Sequence, residues 1–160
     1  MSNLKLPKTI KMLITDFDGI FTDNCVYIDS KGEMTRKVNF KDVMAFYMLK
    51  KQGYMVGIIS GEQNSAINII KEKLQIDEVH QNIRVKIDVL NSILRKYNVS
   101  KDEIVYIGDD INDYDILSYV KYPVTVPDAV DKIKNIDGIQ VTSARGGEGA
   151  FREVADTILG

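Results

Sequence analysis

The chain has 160 residues, of which 44% are hydrophobic and 28% charged, as in an ordinary soluble globular protein. The 21 basic and 23 acidic residues nearly cancel, so the composition does not predict a nucleic-acid-binding surface. No apolar run approaches the roughly 18–20 residues of a membrane span, and residues 1–11 do not resemble a signal peptide. Cys25 is the single cysteine, which excludes an intrachain disulfide framework. We therefore expect one cytoplasmic domain over residues 1–160.

The first predicted element is a buried strand over Met12–Thr15, which ends in two carboxylates, Asp16 and Asp18. If the chain stays extended, both side chains point in the same direction, and Gly19 permits a sharp turn after them. Open α/β sheets bind ligands at the carboxyl ends of their central strands. Two acids there repel anions unless a cation intervenes, so the pair predicts a metal that prefers oxygen ligands, such as Mg²⁺. The alternative for so short a motif is a solvated acidic turn.

A β-hairpin is predicted next, over about residues 25–40, with arms at 25–28 and 33–40. The hairpin lies outside the alternation of strands and helices, and its arms are partly apolar. It is therefore a candidate contact between subunits, with an ordinary surface hairpin as the alternative.

Strands and helices alternate through the rest of the chain, which predicts a Rossmann-like, doubly wound α/β fold with a mostly parallel sheet. Asp42 is predicted to be the N-cap of a helix over 43–52, and Gly53 its C-cap. The other predicted helices cover 64–74, 84–97, 112–119, 129–134 and 149–159. The other predicted strands cover 54–59, 77–80, 104–107, 123–126 and 139–142.

Four stretches carry polar residues at strand or helix ends. They are DFDGIFTD (16–23), the serine of IISGE (58–62), Lys86, and YIGDDIND (106–113). Together and in this order they resemble the haloacid dehalogenase-type phosphatases over essentially the whole chain. The resemblance implies that Asp16 is a nucleophile that forms an aspartyl-phosphate and that Asp18 is the general acid and base. It also implies Mg²⁺ bound by the Asp16 side chain, the Asp18 backbone carbonyl and Asp109.

The same resemblance implies roles for four further residues. Ser60 and Lys86 would supply a hydroxyl and a cation to the phosphoryl oxygens. Asp110 and Asp113 would orient Lys86 or a metal-bound water. Considered singly, the serine can be a helix cap, the lysine a solvated helix residue, and the two aspartates caps of the following helix.

The chain leaves no room for an inserted cap domain, because only about 40 residues separate Asp18 from Ser60 and 26 positions separate Ser60 from Lys86. A capless enzyme must exclude water by other means, of which a neighbouring subunit is the simplest. This pattern resembles the capless, tetrameric phosphatases of 3-deoxy-D-manno-octulosonate 8-phosphate. The resemblance implies a homotetramer with the hairpin as a contact and with segment 144–153 near a neighbour's active site; a loop followed by a helix start is the alternative.

Two positions depart from that group. The octulosonate enzymes usually carry Arg after the glycine of the second motif and Gly-Gly-Arg-Gly in the tail, whereas this chain has Glu62 and Gly-Gly-Glu-Gly over 146–149. Acidic residues in place of arginine, close to a substrate that carries a carboxylate, change which substrate the site binds. With glutamate at both positions, the chain resembles relatives that act on nine-carbon ulosonic acid 9-phosphates. Lys73 could pair with Glu62 as in those relatives, or be an exposed helix lysine.

We therefore predict a Mg²⁺-dependent phosphomonoesterase of sialic acid biosynthesis that acts on deaminoneuraminate or N-acetylneuraminate 9-phosphate, with octulosonate 8-phosphate as the alternative. The expected substrate-binding residues are Gly61, Glu62, Lys73, Arg145, Gly146, Gly147 and Glu148.

Two other classes of protein compete with this prediction. A receiver-type signalling module carries its acidic residues on its strands in a different order from this chain, which argues against that class. A catalytically silent tetramerisation module, as appended to some cytidylyltransferases, tends to lose at least one of the acids and the lysine that this chain retains.

Overall fold

The fold was analysed in a computed structural model that describes residues 3–160. Within them the strands are β1 (Met12–Thr15), β2 (Tyr27–Ile28), β3 (Met34–Thr35), β4 (Met55–Ile59), β5 (Glu78–His80), β6 (Ile104–Ile107), β7 (Tyr122–Thr125) and β8 (Gln140–Val141). The helices are α1 (Phe40–Lys51), α2 (Ser65–Leu74), α3 (Lys86–Tyr97), α4 (Tyr114–Tyr119), α5 (Asp131–Lys134) and α6 (Ala150–Leu159), and a 3₁₀ turn over Ile111–Asp113 precedes α4. None of these helices has the length and apolar character needed to cross a membrane.

The α/β fold is confirmed, and its six-stranded sheet has the order β5-β4-β1-β6-β7-β8 with every neighbouring pair parallel. The chain moves from β1 outward to β5, then returns to the other side of β1 at β6. Because parallel crossovers are right-handed, this reversal places α1 and α2 on one face and the helices from α3 to α5 on the other. The contacts of α1 with α2 and of α3 with α4 agree with that arrangement. The reversal beside β1 is where such sheets bind ligands.

The hairpin is shorter than predicted. Only Tyr27–Ile28 and Met34–Thr35 pair, in antiparallel register, and the predicted second arm is wrong at its end because Phe40 already begins α1. The helix starts there because the Asn39 side chain accepts a hydrogen bond from Lys41 N and so caps it.

The prediction of Asp42 as the cap of this helix is therefore wrong. Asp42 lies inside the first turn of α1 and is completely buried. Its Oδ1 accepts a hydrogen bond from the backbone N–H of Arg152, at the start of α6, over 2.8 Å. The carboxylate thus caps a different helix, 110 residues further along the chain. The remaining predicted elements agree with the structure to within two residues.

Four buried phenylalanines pack beneath the loop that follows β1. Phe17 and Phe21 belong to that loop, Phe46 to α1 and Phe151 to α6, and all four have no exposed surface. Neighbouring ring centroids lie 4.5–5.6 Å apart. Burial of so much aromatic surface fixes the loop that carries Asp16 and Asp18 against the two helices.

Candidate active site

Three adjacent parallel strands deliver polar side chains to one edge of the sheet. Asp16 directly follows β1, Ser60 directly follows β4, and Asp109 comes two residues after β6. The pairing of β1 with β6 continues past the strand end, since Asp16 N donates to Ile107 O over 2.9 Å. The sheet therefore fixes the relative positions of these three residues through backbone hydrogen bonds.

Lys86, the first residue of α3, reaches the same edge. Its side chain has no exposed surface, and its Nζ lies 3.0 Å from Asp16 Oδ1 and 2.8 Å from Asp113 Oδ1. Burial lowers the pKa of Lys86, but the carboxylates of Asp113 and Asp16 outweigh it and hold the pKa above its ordinary value. The ammonium is thus charged at neutral pH and ties the aspartate after β1 to the segment after β6.

Asp113 acts as a buried junction of hydrogen bonds. Its Oδ1 accepts from Lys86 Nζ and, over 2.6 Å, from the hydroxyl of Tyr106. Its Oδ2 accepts from the backbone N–H of Asp109 over 3.1 Å and, more weakly, from that of Asp110. With both oxygens occupied, Asp113 holds Lys86 and the loop after β6 in place; its orienting role in the reaction stays a prediction.

Asp110 is exposed and caps the 3₁₀ turn that precedes α4. Its side chain accepts a hydrogen bond from Ile111 N, and it forms a capping box with Asp113. The alternative of a helix cap is therefore the one that the structure supports for this residue.

The acidic edge has the composition of a divalent-cation site. Ligand atoms of Asp16, Asp109 and Asp113 lie within 4.8 Å of one another, and all three residues are buried. When all three are ionised, as metal binding requires, and with Lys86 as their one ionic partner among residues 3–160, the carboxylates carry a net two negative charges, which a divalent cation would balance. No described residue forms a hydrogen bond with the buried Asp109 Oδ1, as expected of an oxygen that serves a metal. The residues present therefore fit Mg²⁺.

The two carboxylates available for that ion have perturbed pKa values. Burial, followed by repulsion from Asp113, raises the pKa of Asp16 well above its ordinary value, against the opposing effect of Lys86. Burial and repulsion from Asp113 and Asp110 raise the pKa of Asp109 to about 8. Such shifts are typical of functional sites, where charge is concentrated in a buried space.

Asp16 is held by one of its two oxygens. Oδ1 accepts hydrogen bonds from Phe17 N over 2.7 Å and from Lys86 Nζ. No residue within 3–160 donates a hydrogen bond to Oδ2, and Asp16 lines a cavity of about 300 Å³. The carboxylate is thus oriented through one oxygen, and the other is available to react.

Asp18 is held by the hairpin as well as by its own loop. Its Oδ1 accepts hydrogen bonds from Arg36 Nε over 2.8 Å and from Thr22 Oγ1 over 3.3 Å, while the buried Oδ2 has no hydrogen-bond partner among residues 3–160. Arg36 has no motif to mark it, and the sequence analysis missed it. Its position depends on how the hairpin folds back over the site, which local sequence does not encode.

Ser60 and its neighbours form one wall of the cavity. Ser60 is buried, and its Oγ accepts a hydrogen bond from Glu62 N over 3.2 Å, which leaves the hydroxyl proton free to be donated. Gly61 and Glu62 line the same cavity, together with the exposed Arg84, which the sequence analysis also missed.

Lys73 lies apart from Glu62 in this chain. Its ammonium is 5.5 Å from the centroid of the Phe40 ring, beside an apolar groove, and no Glu62–Lys73 ion pair is formed within residues 3–160. The ion pair expected from the resemblance is thus not present within a single chain.

The glycine-rich segment packs on the loop after β1 of the same chain. Gly147 N donates to Ile20 O over 2.8 Å, and a Cβ built on Gly146 would lie 1.9 Å from Gly19 O. The bare backbone here permits close packing against the catalytic loop. Arg145 and Glu148 flank it on the surface, with Arg145 Nε 3.8 Å from Asp128 Oδ2.

Comparisons with known proteins agree with this geometry. The sequence profile of the haloacid dehalogenase-like hydrolases matches residues 21–149. The chain is 30% identical to the 3-deoxy-D-manno-octulosonate 8-phosphate phosphatase of Yersinia pestis over 94% of its own length and 80% of that protein's. It superposes with a TM-score of 0.89 on the corresponding phosphatase of Moraxella catarrhalis, crystallised with magnesium, phosphate and KDO, at 28% identity over 95% of this chain and 87% of that one.

A second solved structure is similar to the same degree. The cobalt-bound deoxy-D-mannose-octulosonate 8-phosphate phosphatase of Haemophilus influenzae has a TM-score of 0.88 at 30% identity, over 95% of this chain and 88% of that one. The profile match covers most of the chain. The chain belongs to the haloacid dehalogenase-like hydrolases.

Proposed function

We propose that the chain, acting as one domain, is a Mg²⁺-dependent phosphomonoesterase that removes phosphate from a 3-deoxy-2-ulosonic acid phosphate. The observation that carries the proposal is the arrangement around Asp16. One oxygen is fixed by Lys86 and a backbone N–H, and the other is free beside Ser60, Asp18 and Asp109. The similarity to phosphatases of an octulosonate phosphate supports the reaction and the class of substrate.

In this mechanism Asp16 Oδ2 attacks phosphorus, and the bond between phosphorus and the sugar oxygen breaks. Asp18 donates its proton to that oxygen, so that the sugar leaves as an alcohol. The Asp18 carboxylate then takes a proton from water, whose oxygen attacks phosphorus and breaks its bond to Asp16. Inorganic phosphate is released, and both aspartates return to their starting states.

Other residues of the site support these steps. Lys86 and the hydroxyl of Ser60 stabilise the charge on the phosphoryl oxygens. Mg²⁺, when held by the carboxylates of Asp16 and Asp109 and the carbonyl of Asp18, supplies the positive charge that lets an anionic phosphate approach an anionic carboxylate. Asp113 keeps the lysine aligned.

For the physiological substrate we favour a nine-carbon acid, deaminoneuraminate or N-acetylneuraminate 9-phosphate. The supporting residues are Glu62, at the cavity wall, and Glu148, in the tail, which stand where the octulosonate enzymes usually carry arginine. Octulosonate 8-phosphate is the second candidate, supported by the similarity of the chain to phosphatases of that compound.

We also propose a homotetramer in which neighbouring subunits cover the active site. The cavity beside Asp16 is open, and the hairpin carries exposed apolar side chains, with Tyr27 66%, Ile28 62% and Met34 59% exposed. Exposed apolar patches of this kind are typical of interfaces. In such an assembly the exposed Arg145 and Glu148, which flank the buried Gly146 and Gly147, would contribute to a neighbour's substrate site.

The test is phosphate release from octulosonate 8-phosphate, deaminoneuraminate 9-phosphate and N-acetylneuraminate 9-phosphate, measured side by side with Mg²⁺. Asp16→Asn serves as the blank, since it cannot form the aspartyl-phosphate. We expect turnover that depends on Mg²⁺, prefers a nine-carbon substrate and is abolished by the substitution. Preference for the octulosonate would reject the role of the glutamates, and wild type equal to the blank on all three would reject the enzyme.

A further inference from the structure

Two cavities of about 300 Å³ each meet at Asp18 and Glu62. Asp16 and Ser60, the residues that meet phosphorus in the proposed reaction, line the first cavity and not the second. Asp18, which protonates the leaving oxygen, lines both. Because a leaving group lies on the side of the acid that protonates it, the second cavity is where the sugar extends away from phosphorus.

Arg36 is the one cation among the described residues that line this second cavity. The substrate class carries a carboxylate in addition to its phosphate, and the Glu62 carboxylate on the same wall would repel it. A guanidinium recognises a carboxylate well, because its planar N–H groups match the two oxygens. The cavity therefore has one group suited to the second anionic end of the substrate.

The structure already contains a carboxylate bound at this position. Arg36 Nε donates to Asp18 Oδ1 over 2.8 Å, and the two side chains are only 13% and 21% exposed. A guanidinium has five N–H donors, of which this contact uses one. Arg36 can thus accept a second carboxylate on its remaining donors, or exchange the aspartate for it.

We propose that Arg36 binds the carboxylate of the sugar acid and so selects ulosonic acids over neutral sugars. This inference rests on the proposed function for its class of ligand. It assigns the hairpin a part in substrate recognition within its own chain, in addition to any part in assembly.

The experiment is a calorimetric titration of free 3-deoxy-D-manno-octulosonate and deaminoneuraminate, and of their methyl esters, into the protein with Mg²⁺ and inorganic phosphate present. The ester keeps the sugar and removes the negative charge. We expect the wild type to bind at least one acid about tenfold or more tightly than its ester, the usual effect of a charged hydrogen bond. Arg36→Gln should reduce that ratio to near one.

Two further variants make the result specific. Arg36→Lys keeps the charge without the paired N–H geometry, so an intermediate ratio is expected. Lys37→Gln is the matched control. Its ammonium pairs with Asp23 over 2.9 Å, its side chain is 56% exposed, and it lines neither cavity, so the wild-type ratio should persist.

The proposal is overturned if the wild type does not distinguish acid from ester, or if Arg36→Gln keeps the wild-type ratio. Should Arg36→Gln fail to fold, an unchanged ratio in Arg36→Lys overturns it equally. Failure of the proposed function is seen separately, as absence of phosphate release from the sugar-acid phosphates, whatever the binding ratio.

Discussion

At the scale of single residues, Asp113 organises the site through four hydrogen bonds. It holds the Lys86 ammonium, the Tyr106 hydroxyl and two backbone N–H groups. Gly108 makes room for it, since a Cβ there would lie 2.5 Å from the Asp113 carboxyl carbon. Asp16, the proposed nucleophile, is therefore oriented through Lys86 by a carboxylate two hydrogen bonds away.

Asp113→Asn should impair both folding and catalysis. An amide has one acceptor oxygen, so its NH₂ must face either the Lys86 and Tyr106 donors or the backbone donors. Breaking a buried ion pair in this way costs about 3 kcal/mol of unfolding free energy, and the misplaced lysine should lower phosphate release roughly 100-fold.

Urea unfolding and the phosphate assay measure the two effects of Asp113→Asn. Asp115→Asn, an exposed acid on the same segment, should behave like the wild type. Equal behaviour of the two variants would contradict the assigned role.

Residues of the site differ in how far the sequence could predict them. Asp16, Ser60 and Asp109 follow parallel strands, so recognising the strands was enough to place them at one edge. Arg36 could not be found in this way, because its contact with Asp18 depends on the path of the hairpin in three dimensions. Asp42 was misassigned, since a helix-capping aspartate and a buried one look alike in sequence.

At the scale of elements, Asp42 joins the start of α1 to the start of α6. Burial raises the pKa of this carboxyl to about 6, and the backbone N–H groups around Arg152 only partly oppose the shift. In the unfolded chain its pKa is near the ordinary aspartate value of 3.8. Between these two values the folded state binds more protons, so the contribution of Asp42 to stability falls as pH rises from below 4 to above 6.

Asp42→Asn should remove that dependence. The full shift corresponds to about 3 kcal/mol, of which about 2 kcal/mol falls between pH 4 and pH 7, so the difference in unfolding free energy between variant and wild type should change by about 2 kcal/mol, in favour of the variant, over that range. Urea unfolding of both proteins at four pH values in this range measures it, and all groups that titrate equally in the two proteins cancel. Parallel pH profiles would contradict the assignment.

Gly146→Ala tests the packing of the glycine-rich segment on the catalytic loop. The new methyl group would collide with Gly19 O, so the loop after β1 should shift and phosphate release should fall at least about tenfold, with a loss of 1–3 kcal/mol in stability of the order expected for overpacking. Gly138→Ala is the control for added bulk, because its Cβ would meet nothing within 4 Å; its φ of 76° is unfavourable for alanine, a strain that Gly146 does not share. If both variants lose activity equally, the collision is not the cause.

At the scale of the whole molecule, the apolar surface of the hairpin predicts assembly. In the proposed tetramer Ile28→Asp places a charge in an interface, so light scattering at micromolar concentration should show smaller species. Phosphate release should fall as the active site loses its cover. Val141→Asp is the matched control, on an exposed residue of an edge strand. A monomeric wild type would reject the tetramer.

The fold itself followed from sequence more readily than the site did. Alternating buried runs and amphipathic stretches fixed the strands and helices to within a few residues, because burial in a parallel sheet needs continuous apolar runs. The length of the hairpin was overestimated. Tyr27–Ile28 pairs with Met34–Thr35, and the rest of segment 25–40 forms no regular strand pairing.

The position of β1, paired on both sides, has a consequence for how the molecule fluctuates. Amide protons of a strand between two partners exchange with solvent only in large openings, whereas exposed segments open locally and often. We therefore expect Asp16 to be attached to a slowly exchanging strand, with faster exchange at Glu62, Arg84 and the hairpin around it. Substitutions in these surrounding segments can therefore change which sugar binds. They should leave the positions of Asp16 and its neighbours, and the free energy of unfolding, almost unchanged.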